Sequence, residues 1–319
     1  MRKNVLITAI GGDIAQGVAA ILRQSFPDWH LTGIDVHSRH AGSLFVDRFH
    51  EASRATDPGY KDALKAIVMR DAIDLVIPMS EAELLLLASA DHSEMGGARL
   101  LMANRLAIEV GADKLRTAQF LASICVPAPW TERTENFLPQ KHLPCIFKPR
   151  RGAGSKAVFR CETAEEVAFY RYRHADAIVQ ELLLPADQEV TCGVFRAGDG
   201  RTAVVQLLRT LTGGFTGWAR VIEDQEVLSQ CLRLAEALDL RGSINVQLRV
   251  TENGPRIFEI NPRFSSTVLM RHQMGFCDLV WSIQDVLGED VHLFSPKVGT
   301  TAVRLQGAQL LKSHTLEQA

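Results

Sequence analysis

The sequence predicts an α/β half followed by a mixed, hairpin-rich α+β half, and two observations carry that prediction. Over the first hundred residues, short apolar runs alternate with segments of helical spacing. Beyond the paired prolines Pro127 and Pro129, strands instead follow one another through Gly- and Asn-containing turns. Strands separated by helices imply parallel βαβ units with right-handed crossovers, whereas strands joined by tight turns imply antiparallel hairpins.

Residues 5–10 form a continuous apolar run, the pattern of a strand covered on both faces. Gly11-Gly12-Asp13 then turns the chain, and residues 15–23 place Val18, Ile21 and Leu22 on one helical side. A strand over 31–36, a helix over 60–70, a strand over 75–78 and a helix over 81–90 complete the first regime. A helix follows over about 104–124. Strands at 145–148 and 157–160 flank the loop 149–156, and Thr163 with Glu166 makes a capping box for the next helix. Further strands fall at 178–180, 190–196 and 202–209, the last two joined by Ala197-Gly198-Asp199-Gly200. Residues 226–240 have the spacing of an amphipathic helix, and 243–250 and 256–260 flank Asn253-Gly254 as a second hairpin. A last strand at 302–305, with the apolar 308–311, either completes the domain or packs on a second subunit, which leaves a homodimer open.

Composition narrows the function classes. The chain has 319 residues, with 35 Lys+Arg against 37 Asp+Glu and 46% apolar residues, so it reads as a globular protein of about two domains. The near-neutral balance argues against nucleic-acid and membrane-surface partners, which call for a basic excess. Six cysteines are scattered without a CxxC, so neither a zinc cluster nor a secreted disulfide framework is expected, and a cytoplasmic location is. Arg2 and Lys3 before the first apolar run imitate a signal peptide, but the run is short and broken by glycines, and it reads as a buried strand. There is no apolar span of 18 residues.

The turn Gly11-Gly12, with Gly17 and with Asp35 ending the second strand, imitates a dinucleotide fingerprint without meeting the G-x-G-x-x-G spacing. An oxidoreductase reading built on it would leave the motifs below without a role. His37-x-x-His40, after the second strand, reads as a surface loop rather than a metal pair and is given no role.

The stronger signal is F-E-I-N-P-R at 258–263 opposite S-I-N-V-Q-L at 243–248. Alternate strand residues share a face, so Glu259 and Asn261 point the same way. A hairpin centred on Asn253 pairs Gln247 with Glu259, giving three oxygen ligands on one patch, a set suited to Mg²⁺ completed by substrate phosphates. Arg263 follows on the same face, placed for a transferring phosphate. K-P-R-R-G-A-G-S-K at 148–156 offers a lysine and a glycine-containing loop to a polyphosphate, though it is not a Walker A loop. V-Q-E-L-L at 179–183, with Glu189 after it, offers backbone groups to an adenine edge and an acid to a ribose.

Taken in order, Lys114, Lys148, the glycine loop, Gln180-Glu181, Glu189, Gln247 and Glu259-x-Asn261-x-Arg263 resemble the ATP-grasp superfamily, and within it the carbamoyl-phosphate-synthase-like branch. The resemblance implies a Rossmann-like pre-ATP-grasp α/β domain at 1–103. It implies a two-lobed ATP-grasp fold at 104–292, with the small lobe at about 130–183 and the large lobe at about 184–292, then a C-terminal strand and tail at 293–319. It implies that ATP is held by Lys114, Lys148, Gly152, Ala153, Gly154, Ser155, Gln180, Glu181, Leu182, Leu183 and Glu189. Mg²⁺ (or Mn²⁺) is implied on Gln247, Glu259 and Asn261, with Arg263 as the catalytic cation. The implied reaction is ADP-forming ligation of a small-molecule carboxylate to an amine through an acyl phosphate; the alternative is a nucleotide-binding relative without ligase activity. The chain departs from the family at Ala157, where many relatives have glycine, and in carrying one ATP-dependent unit where carbamoyl-phosphate synthesis uses two. The stretch 210–220 reads as a mobile loop, with Trp218 and Arg220 expected to meet the acceptor carboxylate.

Overall fold

The structure is a computed structural model that describes residues 2–89, 94–152 and 157–310. Three sheets organise it. The first contains β1 (Asn4–Ile7), β2 (His30–Asp35), β3 (Arg48–Glu51), β4 (Leu75–Ile77), β5 (Glu94–Met95) and β6 (Ala98–Leu100), in the order β3-β2-β1-β4-β6-β5. Its pairs are parallel except the β5–β6 hairpin. Helices α1 (Asp13–Ser25), α2 (Tyr60–Arg70) and α3 (Glu81–Ala88) supply the crossovers. Val5 and Ile7 face α1, while Leu6 on the opposite side of the same strand faces Tyr60, Leu64 and Val68 of α2. Both faces are therefore buried, which is why the strand reads as an unbroken apolar run.

The predicted single helix near 104–124 is two, α4 (Arg105–Gly111) and α5 (Lys114–Ser123). Asp113 breaks it, because its carboxylate caps α5 by accepting from the Leu115 and Arg116 backbone N–H groups. The second sheet holds β7 (Thr131–Arg133), β8 (Cys145–Pro149), β9 (Phe159–Cys161) and β10 (Ala177–Glu181), all antiparallel in the order β7-β10-β8-β9. The short α6 (Pro139–His142) leads into it, and α7 (Ala164–Arg173) covers it with Val167 against Phe147 and Val179. Both bonds of the Thr163–Glu166 capping box are formed.

The third sheet is antiparallel throughout: β11 (Glu189–Arg196), β12 (Thr202–Thr212), β13 (Phe215–Ile222), β14 (Gly242–Thr251), β15 (Gly254–Asn261) and β16 (Thr301–Val303), in the order β15-β14-β11-β12-β13-β16. Strand β16 completes this sheet against β13, the first of the two alternatives for the last strand. Helix α8 (Gln225–Ala237) packs on one face, against Val190, Cys192, Ile244 and Val246. Helices α9 (Val268–Gln273) and α10 (Asp278–Leu287) lie between the other face and the first sheet. Their Val268, Leu279 and Ile283 meet the β1 side, and their Met270, Met274 and Trp281 meet Phe195 and Leu207. The stretch 210–220 is not a loop: β12 and β13 run on to a tight turn at Gly213 and Gly214, whose φ values of +60° and +85° glycine adopts without strain. Among the described residues, no helix is long and apolar enough to cross a membrane.

Candidate functional site

The second and third sheets face each other across a crevice where Lys148 of β8 approaches Phe258 of β15, and several of the residues singled out above come to it from separate elements. On β14 and β15 a regular hairpin register holds from Thr251↔Gly254 to Leu248↔Ile257 and then slips, so that Gln247 opposes Glu259. The slip is a bulge at Phe258. In an unbroken ladder Gln247 would oppose Phe258 and Glu259 would fall on the α8 face; the extra residue turns Glu259 to the crevice face with Gln247. The same bulge frees the Phe258 carbonyl, which Lys148 on β8 approaches with Nζ at 3.5 Å. Asn261 follows on that face, its Nδ2 donating to Glu259 Oε1 at 3.2 Å.

Lys148 is only 4% exposed, and burial pushes its ammonium down to about 8 against the pull of Glu259, with Lys114 adding to the lowering. Burial likewise pushes the Arg263 guanidinium down, opposed by Glu81, Glu259 and Asp13. Two cations from different segments thus feel the charge of the Glu259 carboxylate. Lys114 opens α5 and donates from Nζ to the Gly152 carbonyl at 2.8 Å, while Gly152 N–H donates to Glu81 Oε1 at 3.1 Å. Behind it, Arg150 grips Asp113 at 2.6 Å. Burial pushes the Asp113 carboxyl up, but the bond from Arg150 and the backbone N–H of Arg116 outweigh it and hold the group below the usual range. Ala153, Gly154 and Ser155 lie outside the described residues.

At the other end of the crevice, the link from β10 to β11 carries the expected adenine-side residues. Gln180 is buried and donates from Nε2 to Thr131 Oγ1 at 2.8 Å. Glu181 takes the Trp130 backbone from both sides, its own N–H donating to Trp130 O at 3.0 Å and its Oε2 accepting from Trp130 N at 3.2 Å. Leu182 is half-buried and Leu183 is buried, with the Leu183 carbonyl accepting from Arg249 Nη1 at 2.8 Å. Glu189 sits between two arginines, Arg209 at 2.6 Å on Oε1 and Arg249 at 2.6 Å on Oε2. Arg209 also donates to Gln247 Oε1 at 2.9 Å.

Sequence reasoning missed Arg209 and Arg249. Neither lies in a recognisable motif; the only signal was strand parity, since Arg209 alternates with Leu207 on the buried face. The same parity corrects the expectation for Trp218 and Arg220. They pair with Thr210 and Leu208, on the α8 side of the sheet, where Arg220 stacks on Trp218 with 5.9 Å from its guanidinium carbon to the ring centre. The N-terminal turn is structural at Gly11: a Cβ there would come within 2.5 Å of the His40 ring and 2.9 Å of Asp35 Oδ2. Asp35, the mimic of a ribose acid, accepts instead from the Gly11 and Val36 N–H groups. A separate cavity of about 270 Å³ lies beyond it at the ends of β1, β2 and β4, lined by Tyr60 and Glu83 among others.

Among the described residues no three His, Cys, Asp or Glu side chains group as a metal cluster. A divalent ion therefore depends on Glu259 together with amide oxygen. Glu259 and Asn261 suit a hard cation finished by phosphate oxygens, while the Gln247 amide oxygen already receives a guanidinium.

Comparisons with known proteins agree with this architecture. A family model described as "ATP-grasp in the biosynthetic pathway with Ter operon" matches residues 173–307. Two D-alanine–D-alanine ligases are each 29% identical: that of Rhodococcus opacus (strain B4) over 209 residues, 54% of this chain and 56% of the relative, and that of Rhodococcus jostii (strain RHA1) over 219 residues, 57% and 59%. This chain thus spans little more than half the length of the curated relatives it matches. Among solved structures, N5-carboxyaminoimidazole ribonucleotide synthetase from Thermus thermophilus superposes with a TM-score of 0.75 at 19% identity, covering 96% of this chain and 84% of that one. L-amino acid ligase from Bacillus licheniformis gives a TM-score of 0.70 at 16% identity, covering 91% and 75%. Three sheets in this order and these superpositions together give the chain the ATP-grasp fold, and residues 173–307 are similar to an ATP-grasp family.

Proposed function

We propose that the chain is an ATP- and Mg²⁺-dependent carboxylate–amine ligase that forms ADP through an acyl phosphate on a small-molecule carboxylate. The observation that carries this reading is the gathering of cations near Glu259, the buried Lys148 from β8 and the half-buried Arg263 from just past the end of β15, with Lys114 near Lys148. A pure nucleotide binder has no need of a cation beyond the phosphate-holding lysines. The names of the relatives, ligases of D-alanine and of L-amino acids, support amino-acid-like carboxylates and amines as the first substrates to try.

In this reading the adenine lies against the Gln180–Leu183 link, and Glu189 meets the ribose through the lone pairs its arginines leave. Lys114, Lys148 and the glycine loop from Gly152 onward, including Ala153, Gly154 and Ser155, hold the phosphates. Mg²⁺, held by Glu259 and Asn261, would neutralise charge on the β- and γ-phosphates. Arg263 stabilises the equatorial oxygens of the phosphoryl group as it moves to the carboxylate, and then the acyl phosphate. Positioning and electrostatics supply such catalysis, so no covalent protein nucleophile is required. The β12–β13 turn, with Leu211 and Phe215 exposed beside it, is suited to exclude water from the acyl phosphate.

The test is ADP and phosphate release from the purified protein with ATP and Mg²⁺, screened against pools of carboxylates with amines. Product that appears only with particular pairs is expected, and Glu259→Ala should abolish it. AMP and pyrophosphate would rule out the acyl phosphate. ATP binding with no turnover in any pool would favour the ligase-free alternative.

A further inference from the structure

Arg209 changes what the crevice can hold. Its side chain is 7% exposed and fixed on three sides. It donates to Glu189 Oε1 from Nε at 3.0 Å and Nη2 at 2.6 Å, to Gln247 Oε1 from Nη2 at 2.9 Å, and to Thr216 Oγ1 from Nη1 at 3.4 Å. Arg249 closes the far side of Glu189. The partners form a row across β14, β11, β12 and β13, with two guanidinium groups around one carboxylate and a net charge of +1. Arg209 cannot swing away without stripping a largely buried acid of one of its two cations.

Resting on the ligase reading above, we infer that Arg209 withdraws Gln247 from metal coordination, so that the site takes one divalent ion, on Glu259 and Asn261, with the Arg209 guanidinium as the fixed second cation. The Gln247 amide oxygen is the only one of its side-chain atoms that can ligate a metal, and it accepts a charged donor. A divalent ion on that same oxygen would stand within a few ångströms of the guanidinium, like charge against like charge in a partly dry crevice. Mg²⁺ tolerates little distortion of its octahedron and takes phosphate and water oxygens in place of a blocked protein ligand. Arg209 is thus a positioning residue: it holds Gln247 and Glu189 and lends positive charge beside them.

The test counts Mn²⁺ bound to the full chain with a non-hydrolysable ATP analogue, by electron paramagnetic resonance of the free ion. One Mn²⁺ per chain is expected for the native protein and for Arg209→Lys, and two for Arg209→Met, where Gln247 is released. Gln247→Leu provides a check independent of any effect of Arg209 variants on folding. It should leave Mn²⁺ affinity within about twofold, whereas Glu259→Gln should weaken it by about tenfold or more, the range seen when groups at a metal site are removed. Two Mn²⁺ in the native protein, or a tenfold loss in Gln247→Leu, overturns the inference and leaves the ligase reading standing. No Mn²⁺ bound with the analogue overturns both.

Discussion

Lys148 carries a charge that burial in the folded chain makes costly. Its ammonium is buried, and burial brings it from 10.5 to about 8, a difference on the order of 3 kcal/mol against the charged form. This is the reverse of a lysine gaining a partner. Below about pH 8 the folded protein carries the full penalty; between about 8 and 10.5 the unfolded chain binds the proton that the folded one has lost, and stability rises with pH. Lys148→Met should therefore stabilise the ligand-free protein at pH 7, by about 1–3 kcal/mol in urea unfolding, while abolishing nucleotide binding. A variant that loses stability and keeps the nucleotide would show that Lys148 is structural. The motif around Lys148 was legible because a lysine ending a strand before a glycine loop is a local pattern. Arg209 and Arg249 were not, because their role arises only when three strands bring them to Glu189.

At the scale of elements, the Thr163–Glu166 box on α7 was read from the sequence, while the like box of Ser80 and Glu83 on α3 and the Asp113 cap of α5 were not, although all consist of local hydrogen bonds. Ser80→Ala and Thr163→Ala should each cost about 1 kcal/mol, read as a shift of the denaturant midpoint at unchanged slope. The pairing of Gln247 with Glu259 was expected from a hairpin centred on Asn253, and it holds for a reason the sequence hides. The turn is centred half a residue earlier, since Thr251 pairs with Gly254, and the Phe258 bulge restores the difference. Two offsets cancel, and nothing in the residue types of 254–258 signals the second. Helix α9 was missed because its six residues, fewer than two turns, are too short to show a period; α10 was missed although it carries an apolar stripe.

For the whole molecule, the alternation of strands and helices gave the fold class, and the ordered motifs pointed to the ATP-grasp fold that the superpositions show. Sheet order and the packing of residues 264–287 between two sheets depend on contacts far apart in sequence. The cysteines offer a check on the whole assembly. Cys145 and Cys161 face each other across β8 and β9, and burial pushes their thiols up to about 12 and about 11; Cys192 and Cys231 are also buried, whereas Cys125 is exposed. A thiol reagent should label Cys125 in the native protein and reach those four only on unfolding, as mass spectrometry of labelled peptides would resolve. Early labelling of Cys145 or Cys161 alone would show the second sheet opening by itself. The seat of α9 and α10 also bears on the order of synthesis. The α1 side of the first sheet, made early in translation, is sealed by Phe264, Val268, Leu279 and Ile283, and Arg304 reaches back 291 positions to Asp13. On the ribosome, that apolar face must wait for more than two hundred further residues before its cover emerges, a delay during which the nascent chain is a natural client for a chaperone.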